Sequence, residues 1–401
     1  MFTLKEFLKE ATEDNGKLKH IHHAEDRPLL HGHAGFEHAF GALHKAHEHM
    51  KAKQKSSNLT MKYDGSPAVV FGHHPKTGKF FVASKSAFNK NPKINYTHKD
   101  IDTHHGHAPG LASKLHAALD HLHKVAPKHG VYQGDLMYHA EAHDKEKLHE
   151  DLKHHKSGHV SFTPNTITYT AKGDTAKKIK KSKLGVVVHT KYHGDDISSM
   201  KAHHDVDHEN FHQHPDVYHH TAEHDTSRVH YGEKGQSEFH KHMAAAKAIH
   251  DTHGHKMYHA TQKHQGEAGH LATYINHTVK HDEVPHVEGL KKHIQSHYDK
   301  AASKVSTEKA KGAKHAEAKE HISHIEKNKE HYQNLLSMHH HLQQAKNVLV
   351  KHLERHEGEY EHHIAGKKSK PEGFVVHHEG QPTKLVNRAE FAKQNLLKVR
   401  K

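Results

Sequence analysis

Residues 59–71 read LTMKYDGSPAVVF, and this stretch decides the fold prediction. A β-branched and aromatic run, residues 67–71, follows an Asp-Gly pair, which is the pattern of a turn that leads into a strand. Two interpretations are open at this point. The segment is a plain β-hairpin, because Asp-Gly is the commonest signal for a type I′ turn, or Lys62 lies at a strand edge and the Asp64-Gly65 pair beside it forms a tight turn.

Similar strand-like runs continue as far as residue 188 and return after residue 371. Gly, Pro and Asn bound these runs, as strands require. They cover residues 79–83, 130–132, 166–169, 185–188, 373–376 and 383–386. Helix-like pieces lie between them at residues 36–54 and 111–125. This mixture predicts an α+β fold of mixed sheets with helices.

Between residues 197 and 366 strand signals nearly vanish and helical periodicity replaces them. We therefore predict three parts: 1–196 as the first part of one domain, 197–366 as a basic, His-rich helical insertion, and 367–401 as closing strands of the first domain.

The longest predicted helix, residues 314–357, has an apolar seam at helical spacing. Such a seam suits an antiparallel hairpin with the preceding helix, or self-association as a coiled coil between chains. The seam residues are Ile322, Ile325, Tyr332, Leu335, Leu342, Leu349 and Leu353.

Composition favours a polyanionic partner. The formal net charge is +13 with histidine neutral, and only five of the 60 basic residues are arginine. Lysine contacts phosphates as a point charge, whereas bidentate reading of base edges needs arginine, so we expect RNA or DNA binding with little sequence specificity. The faces that carry Lys291, Lys292 and Lys304 are candidates to clamp a polynucleotide, and a solvated arm for oligomerisation is the alternative.

The compartment is only weakly indicated. The chain has no cysteine, which excludes disulfides and thiolate metal sites. Residues 1–10 read as an amphipathic helix rather than a signal peptide, and no apolar stretch reaches the roughly 18 residues of a membrane span. We expect a soluble cytoplasmic protein, or one in the host cytoplasm or the virion if a phage encodes it.

Histidine is so abundant, at 62 residues, that it generates motifs by chance. Residues 208–212 read HENFH and match the H-E-x-x-H pattern of zinc hydrolases, but polar flanks and the nearby Pro215 disfavour a long helix there. Histidine clusters elsewhere are expected to bind zinc, nickel or copper adventitiously. A steep dependence of charge and stability on pH is the firmer implication.

Five short patches follow in a fixed order along the chain. They are MKYDG at 61–65, QGDL at 133–136, GVVV at 185–188, EGFVV at 372–376 and KLV at 384–386. Together they resemble the signature of the lysine-dependent nucleotidyltransferase superfamily, which contains polynucleotide ligases and capping enzymes. The resemblance covers about residues 59–189 and 371–401. It implies a fold like that of a ligase adenylation domain.

The resemblance also implies roles for individual residues. Lys62 corresponds to the nucleophile that attacks the α-phosphate of a nucleotide, and Asp64-Gly65 to the turn that brings backbone close to that nucleotide. Asp135 stands where the family has a glutamate that contacts the ribose or a metal. Glu372 corresponds to a glutamate that holds the catalytic metal.

Three further positions complete the implied set. Lys384 corresponds to the lysine that neutralises the α-phosphate during attack. His189 stands where an aromatic ring normally stacks on the base, and Lys85 stands where a hairpin arginine contributes a cation.

The pattern has departures as well as matches. Pro67 replaces an arginine and Val386 replaces a second closing lysine, for which Arg388 or Lys393 are possible electrostatic substitutes. The sequence therefore predicts an ATP-dependent polynucleotide ligase that acts through a Lys62-nucleotide intermediate, with Mg²⁺ or Mn²⁺ as cofactor and GTP as the other possible nucleotide. The alternative is a catalytically inactive relative that binds nucleic acid or serves as a structural protein of a viral particle.

Overall fold

The computed structural model describes residues 21–53, 55–139, 152–262, 266–356 and 358–388. Over these ranges the chain forms an α+β fold, as predicted, with three mixed or antiparallel sheets and a layer of long helices. The amphipathic helix predicted for residues 1–10 lies outside the described residues. Among the described helices, none combines enough length with enough apolar sequence to cross a bilayer.

Sheet A has four antiparallel strands in the order β11-β1-β14-β15. These strands are β1 (Lys55–Lys62), β11 (Glu223–Asp225), β14 (Gly373–His378) and β15 (Gln381–Leu385). In the register of β1 and β14, Lys62 lies opposite Gly373. The strands near the C-terminal end of the chain therefore lie beside the strand that carries the predicted nucleophile.

Sheet B has six strands in the order β10-β8-β4-β2-β3, with β9 also paired to β8. Its strands are β2 (Ala68–His73), β3 (Phe80–Ala83), β4 (Val131–His139), β8 (Leu184–His193), β9 (Lys201–His203) and β10 (Val217–Thr221). Strands β8 and β10 run parallel and the other pairs are antiparallel. Helices α2 (His98–His105) and α3 (Pro109–Leu122) pack together, and α3 covers one face of the sheet.

The plain-hairpin interpretation of residues 59–71 is wrong. Strand β1 belongs to sheet A and β2 to sheet B, so the chain crosses between sheets at the Asp-Gly turn. The crossing is fixed by two backbone hydrogen bonds, because Ser66 N–H donates to the Leu136 carbonyl and Leu136 N–H donates to the Pro67 carbonyl.

Sheet C has the strand order β13-β12-β7-β6-β5. Its strands are β5 (Lys153–His154), β6 (Val160–Phe162), β7 (Thr168–Ala171), β12 (Glu361–Ile364) and β13 (Lys367–Lys368). Helix α4 (Gly173–Lys181) packs on β6 and β7. The sheet therefore joins residues 153–171 to residues 361–368, because β12 pairs with β7.

The helical layer packs on one face of sheet A. It consists of α1 (Arg27–Ala52), α5 (Glu233–Gln262), α6 (Glu267–His281), α7 (Val287–Ala302), α8 (Glu308–Lys327) and α9 (Lys329–Leu353). Strand alternation turns every second side chain toward this layer. The side chains of sheet A that are buried in its core are Leu59, Met61, Phe374, Val376 and Leu385.

The helical block differs from the prediction in two ways. Residues 201–225 contain β9, β10 and β11, so the first α-helix of the block begins only at Glu233. The long helix is broken at Asn328, whose φ of −116° and ψ of 24° are not helical.

The apolar seam of residues 314–357 is filled within the chain. Helix α9 packs mainly on α5, not on the preceding helix α8, and α8 pairs with α7. The seam residues Tyr332, Leu335, Leu342, Leu349 and Leu353 are at most 1 % exposed. A coiled coil between chains would need those side chains to face outward, so the seam is an internal packing surface.

Candidate functional site

Lys62 and Glu372 form an ion pair at the end of β1. The Lys62 Nζ donates a hydrogen bond to Glu372 Oε2. Glu372 immediately precedes β14, and the pairing of Lys62 with Gly373 brings the two side chains together across 310 residues of sequence. The Lys62 side chain is 27 % exposed and that of Glu372 is 13 % exposed, so the pair is sheltered yet reachable by water.

Lys384 is the third charged group of this cluster. It lies opposite Val375 in the pairing of β15 with β14, which places it on the same face of sheet A as Lys62. Burial raises the pKa of the Glu372 carboxyl, and the nearby Asp64 acts in the same direction, whereas the positive charges of Lys62 and Lys384 oppose it. Both predicted lysines thus lie on one face of sheet A, Lys62 in contact with Glu372 and Lys384 near enough to affect the pKa of its carboxyl.

Asp64 is held by the segment between β6 and β7. Its carboxylate accepts hydrogen bonds from Asn165 Nδ2 at 2.8 Å, Thr166 N–H at 2.6 Å and Ile167 N–H at 3.0 Å. Its own N–H donates to the Tyr169 hydroxyl at 2.7 Å. These bonds occupy both carboxylate oxygens, so Asp64 positions the end of β1 rather than presenting a free carboxylate.

Gly65 is required by a close approach and not by its backbone dihedral. A Cβ at this position would lie 2.4 Å from Asp135 Cβ and 3.1 Å from the Leu136 carbonyl oxygen. Gly65 is not among the described glycines with a positive φ. The absence of a side chain lets the turn after Lys62 lie directly on β4 at Asp135.

Asp135 and His189 are predicted site residues that lie on sheet B. Their strands β4 and β8 are neighbours, and His189 Nε2 lies 3.6 Å from Asp135 Oδ1. Both side chains are partly exposed, at 20 % for Asp135 and 26 % for His189. A carboxylate beside an imidazole offers one oxygen and one nitrogen ligand, or an acceptor for a ribose hydroxyl.

The two sheets meet through histidines that the sequence analysis did not single out. His377 on β14 stacks on His204 with ring centroids 3.9 Å apart, and His204 Nε2–H donates to Asn58 Oδ1 at 3.0 Å. Burial, together with the nearby His204 and His189, lowers the pKa of His377 well below its usual value. Strand alternation in the sequence could have pointed to His377. It is two residues after Val375, so it lies on the same face of sheet A as Lys384.

Lys85 stands apart from the other predicted residues. It begins a short 3₁₀ helix after β3 and its side chain is exposed. Among the described residues no hydrogen bond or ion pair of this side chain is seen. The structure therefore brings Lys62, Glu372 and Lys384 into one cluster with Asp64 and Gly65 beside it, and leaves Lys85 at the surface.

The candidate substitutes for the second closing lysine are not placed for that role. Val386 is buried, at 5 % exposed. Arg388 donates to both carboxylate oxygens of Asp26, at 3.1 and 2.9 Å, and also bonds Asn276. Arg388 is therefore paired with the carboxylate of Asp26, the residue just before α1. Lys393 lies outside the described residues.

The H-E-x-x-H match does not form a metal site in this fold. His208 lies on a three-residue 3₁₀ helix, and its Nε2 contacts His219 Nδ1 at 2.9 Å. In the part of the chain that the structure describes, the groups of three ligating side chains close enough for one ion are His33–Glu37–His250 and His193–His203–Asp205. Neither group contains a residue of residues 208–212.

Comparison with known proteins gives one family. Residues 15–400 match the family model described as "Family of unknown function (DUF6267)". No curated protein and no solved structure matches the chain.

Proposed function

The chain belongs to the DUF6267 family, and we propose that this member is an ATP-dependent, polynucleotide ligase-like nucleotidyltransferase that acts through a covalent Lys62-nucleotide. The observation that carries the proposal is the cluster at the end of β1, where a lysine on a strand end contacts a carboxylate and a second lysine on the same face of the sheet is near enough to lower the pKa of that carboxyl. A lysine that only solvates the surface needs neither a sheltered carboxylate partner nor a second lysine near that carboxylate.

The arrangement of the two sheets supports the same proposal. Lys62, Glu372 and Lys384 come from sheet A, whereas Asp135 and His189 come from sheet B. A nucleotide between the sheets would meet cations on one side and an imidazole and carboxylate on the other.

The proposed first step joins Lys62 to the nucleotide. The Nζ–P bond forms as the bond from the α-phosphorus to the bridging oxygen breaks, and pyrophosphate leaves with the electron pair. Lys62 must lose a proton before it attacks, and water takes up that proton because the side chain is partly exposed. Lys384 stabilises the negative charge that develops on the α-phosphate oxygens.

A divalent cation fits the acidic groups of the site. Glu372 and Asp135 are the carboxylates that would hold Mg²⁺ or Mn²⁺, and the ion would supply charge compensation for the triphosphate. The side chain of Glu372 is sheltered and pairs with Lys62 in this structure. Lys62 is released for attack when that ion pair opens.

The proposed second substrate is RNA or DNA. On α7 and just after it, Lys292, Lys300 and Lys304 are exposed and lie on the helical layer. Lys291 differs, because it pairs with Glu288 and Glu326. We expect phosphate contacts from the exposed lysines and not from Lys291.

A second candidate function is favoured by the departures from the family pattern. The buried Val386 and the Asp26-bound Arg388 leave no described cation at the second closing position. A catalytically inactive chain that binds nucleic acid, or that serves as a structural protein of a viral particle, would retain the fold without that cation.

Label transfer tests the proposal. Purified protein is incubated with α-³²P-labelled ATP or GTP and Mg²⁺ or Mn²⁺, denatured, and examined for label that stays on the chain. We expect label on the wild type and on Lys76→Ala, a control at an exposed lysine that pairs with Asp196. We expect none on Lys62→Ala.

The negative result is equally informative. Absence of label with both nucleotides, in folded protein that still binds RNA or DNA, would favour the inactive nucleic-acid-binding candidate. Deletion of residues 197–366 is not a usable test of the clamp, because it would remove β9, β10 and β11 from the sheets. Replacing Lys292 and Lys300 by glutamate leaves the core intact and tests polyanion binding directly.

A further inference from the structure

Three side chains with ligand chemistry converge between helices α1 and α5, away from the candidate active site. They are His33 and Glu37 on α1 and His250 on α5, and one ligand atom from each lies within 4.8 Å of the others. His33 and Glu37 are four residues apart, so they share a face of the helix. The two helices pack against each other. Lys62 lies on the face of sheet A opposite the side chains buried in the core with these helices.

We propose that His33, Glu37 and His250 form a binding site for one divalent transition-metal ion, with Zn²⁺ as the best match. Two imidazoles and one carboxylate are a ligand set that suits zinc, with a water in the fourth position. The site lies on the helical layer and does not depend on the proposed function.

The spacing of two ligand atoms fits a tetrahedral ion. Zinc lies about 2.0–2.2 Å from nitrogen and oxygen ligands, so two ligand atoms of a tetrahedron are about 3.3–3.5 Å apart. His250 Nε2 and Glu37 Oε1 are 3.4 Å apart, which is long for a charge-assisted hydrogen bond. The two groups therefore already stand at the distance that a shared ion requires.

Tyr258 is placed to hold His250 in the form that binds metal. Its hydroxyl oxygen lies 3.0 Å from His250 Nδ1 and 3.6 Å from Met338 Sδ, so with its own proton toward the sulfur the hydroxyl accepts from Nδ1–H in the metal-binding tautomer. The lone pair is then on Nε2, the atom that faces Glu37. Metal-binding histidines typically donate their second ring nitrogen in this way.

His33 and Glu37 can move to bind an ion beside the buried His250 without disturbing the core. The His250 side chain is 5 % exposed and is stacked on Phe36 with centroids 3.8 Å apart, so it is a fixed ligand. His33 and Glu37 are exposed. The rings of His33 and His250 lie nearly parallel, so His33 turns about its side-chain torsions to direct a nitrogen at the ion.

The bound ion would connect two helices that are far apart in sequence. Gly32, with φ of 57° and ψ of −130°, interrupts α1 just before His33 and sets the direction of the segment that carries His33 and Glu37. Binding to the folded state alone raises its stability by mass action. We therefore expect Zn²⁺ to raise the unfolding temperature of the full chain.

The experiment must separate one tight site from weak binding by the many other histidines. Metal-free full-length protein is titrated with Zn²⁺ in competition with a chromophoric chelator, and with Co²⁺, whose visible absorption is strong when the ion is four-coordinate. We expect one tight equivalent in wild type and in the control His277→Ala/His281→Ala, which removes an exposed pair on α6.

The variants decide the outcome. His33→Ala and Glu37→Gln change exposed side chains, so the fold should persist while the tight equivalent and the Co²⁺ band are lost. Tyr258→Phe should weaken Zn²⁺ binding by about 10- to 100-fold, as loss of the hydrogen-bond partner of a metal-bound histidine does. The proposal is overturned if wild type and the double variant His33→Ala/Glu37→Gln bind Zn²⁺ with the same stoichiometry and affinity.

Discussion

Buried histidines should make this protein unfold at mildly acidic pH. Among the buried histidines of the described core, five that are at most 9 % exposed have pKa values lowered from 6.5 to about 4 or less, and burial is the main cause. The pKa is lowered to about 3 for His38 and to about 4 for His47, His219, His224 and His362. These rings are therefore neutral in the folded state throughout the pH range in which free histidine becomes charged.

The sign and size of the effect follow from proton linkage. Below pH 6.5 the unfolded chain binds protons that the folded chain does not, so stability is present above pH 6.5 and is lost as pH falls toward 4. As the pH falls from 7.5 to 5.5, each of the five rings lowers the free energy of unfolding by about 1.3 kcal/mol. Together they cost about 6 kcal/mol, which is comparable to the roughly 5–15 kcal/mol that stabilises a native protein.

Urea unfolding at fixed ionic strength measures this loss. The midpoint should fall steeply between pH 7.5 and 5.5. His362→Leu removes a ring whose Nδ1 is buried without a hydrogen-bond partner, so it should reduce the pH slope of stability by about 1.4 kcal/mol per pH unit below pH 6. The exposed His107→Gln is the control and should keep the wild-type slope. Equal midpoints at both pH values, or no effect of His362→Leu on the slope, would refute the reasoning.

Three further outcomes are expected. Lys346 and Glu25 form an ion pair with both side chains 0 % exposed, so Lys346→Met alone should cost about 3–5 kcal/mol in urea unfolding, whereas the Lys346→Met/Glu25→Leu double variant should approach wild type. An equal loss in both variants would contradict this. Asp64→Ala leaves three hydrogen-bond donors without their acceptor and should lower the free energy of unfolding by about 1–3 kcal/mol. Asn165→Ala leaves the backbone donors paired and should lower it less. Glu372→Gln should fold normally but transfer less nucleotide label, and unchanged label per mole would argue against its role.

Strands with ordinary strand composition could be predicted from the sequence. Residues 185–188 and 373–376 are short β-branched or aromatic runs bounded by glycine, and both are strands in the structure. Strands β10 and β11 were missed, because they read VYHHT and EHD and look polar. Their histidines His219 and His224 are buried at 6 % and 2 % exposed. In this chain imidazoles occupy core positions that apolar residues normally fill, which hides the hydrophobic period.

The candidate site was only partly accessible from the sequence. Lys62 and Glu372 were singled out through the family resemblance, but 310 residues separate them, and local patterns carry no information about such a contact. The role of Asp64 in binding the segment before β7 was not foreseen, since it depends on tertiary contacts of Asn165 and its neighbours. The contact of His377 with His204 likewise arises only when the two sheets pack.

The most direct measurement is to locate the covalent bond. Protein incubated with ATP and Mg²⁺ or Mn²⁺ is digested at neutral pH, and tandem mass spectrometry identifies the peptide and the residue that carry the nucleotide. We expect a nucleotidyl phosphoramidate on Lys62, cleaved by acid and absent from Lys62→Ala. A nucleotide attached to a different residue, or none on folded protein supplied with ATP or GTP, would contradict the proposal that Lys62 is the nucleophile.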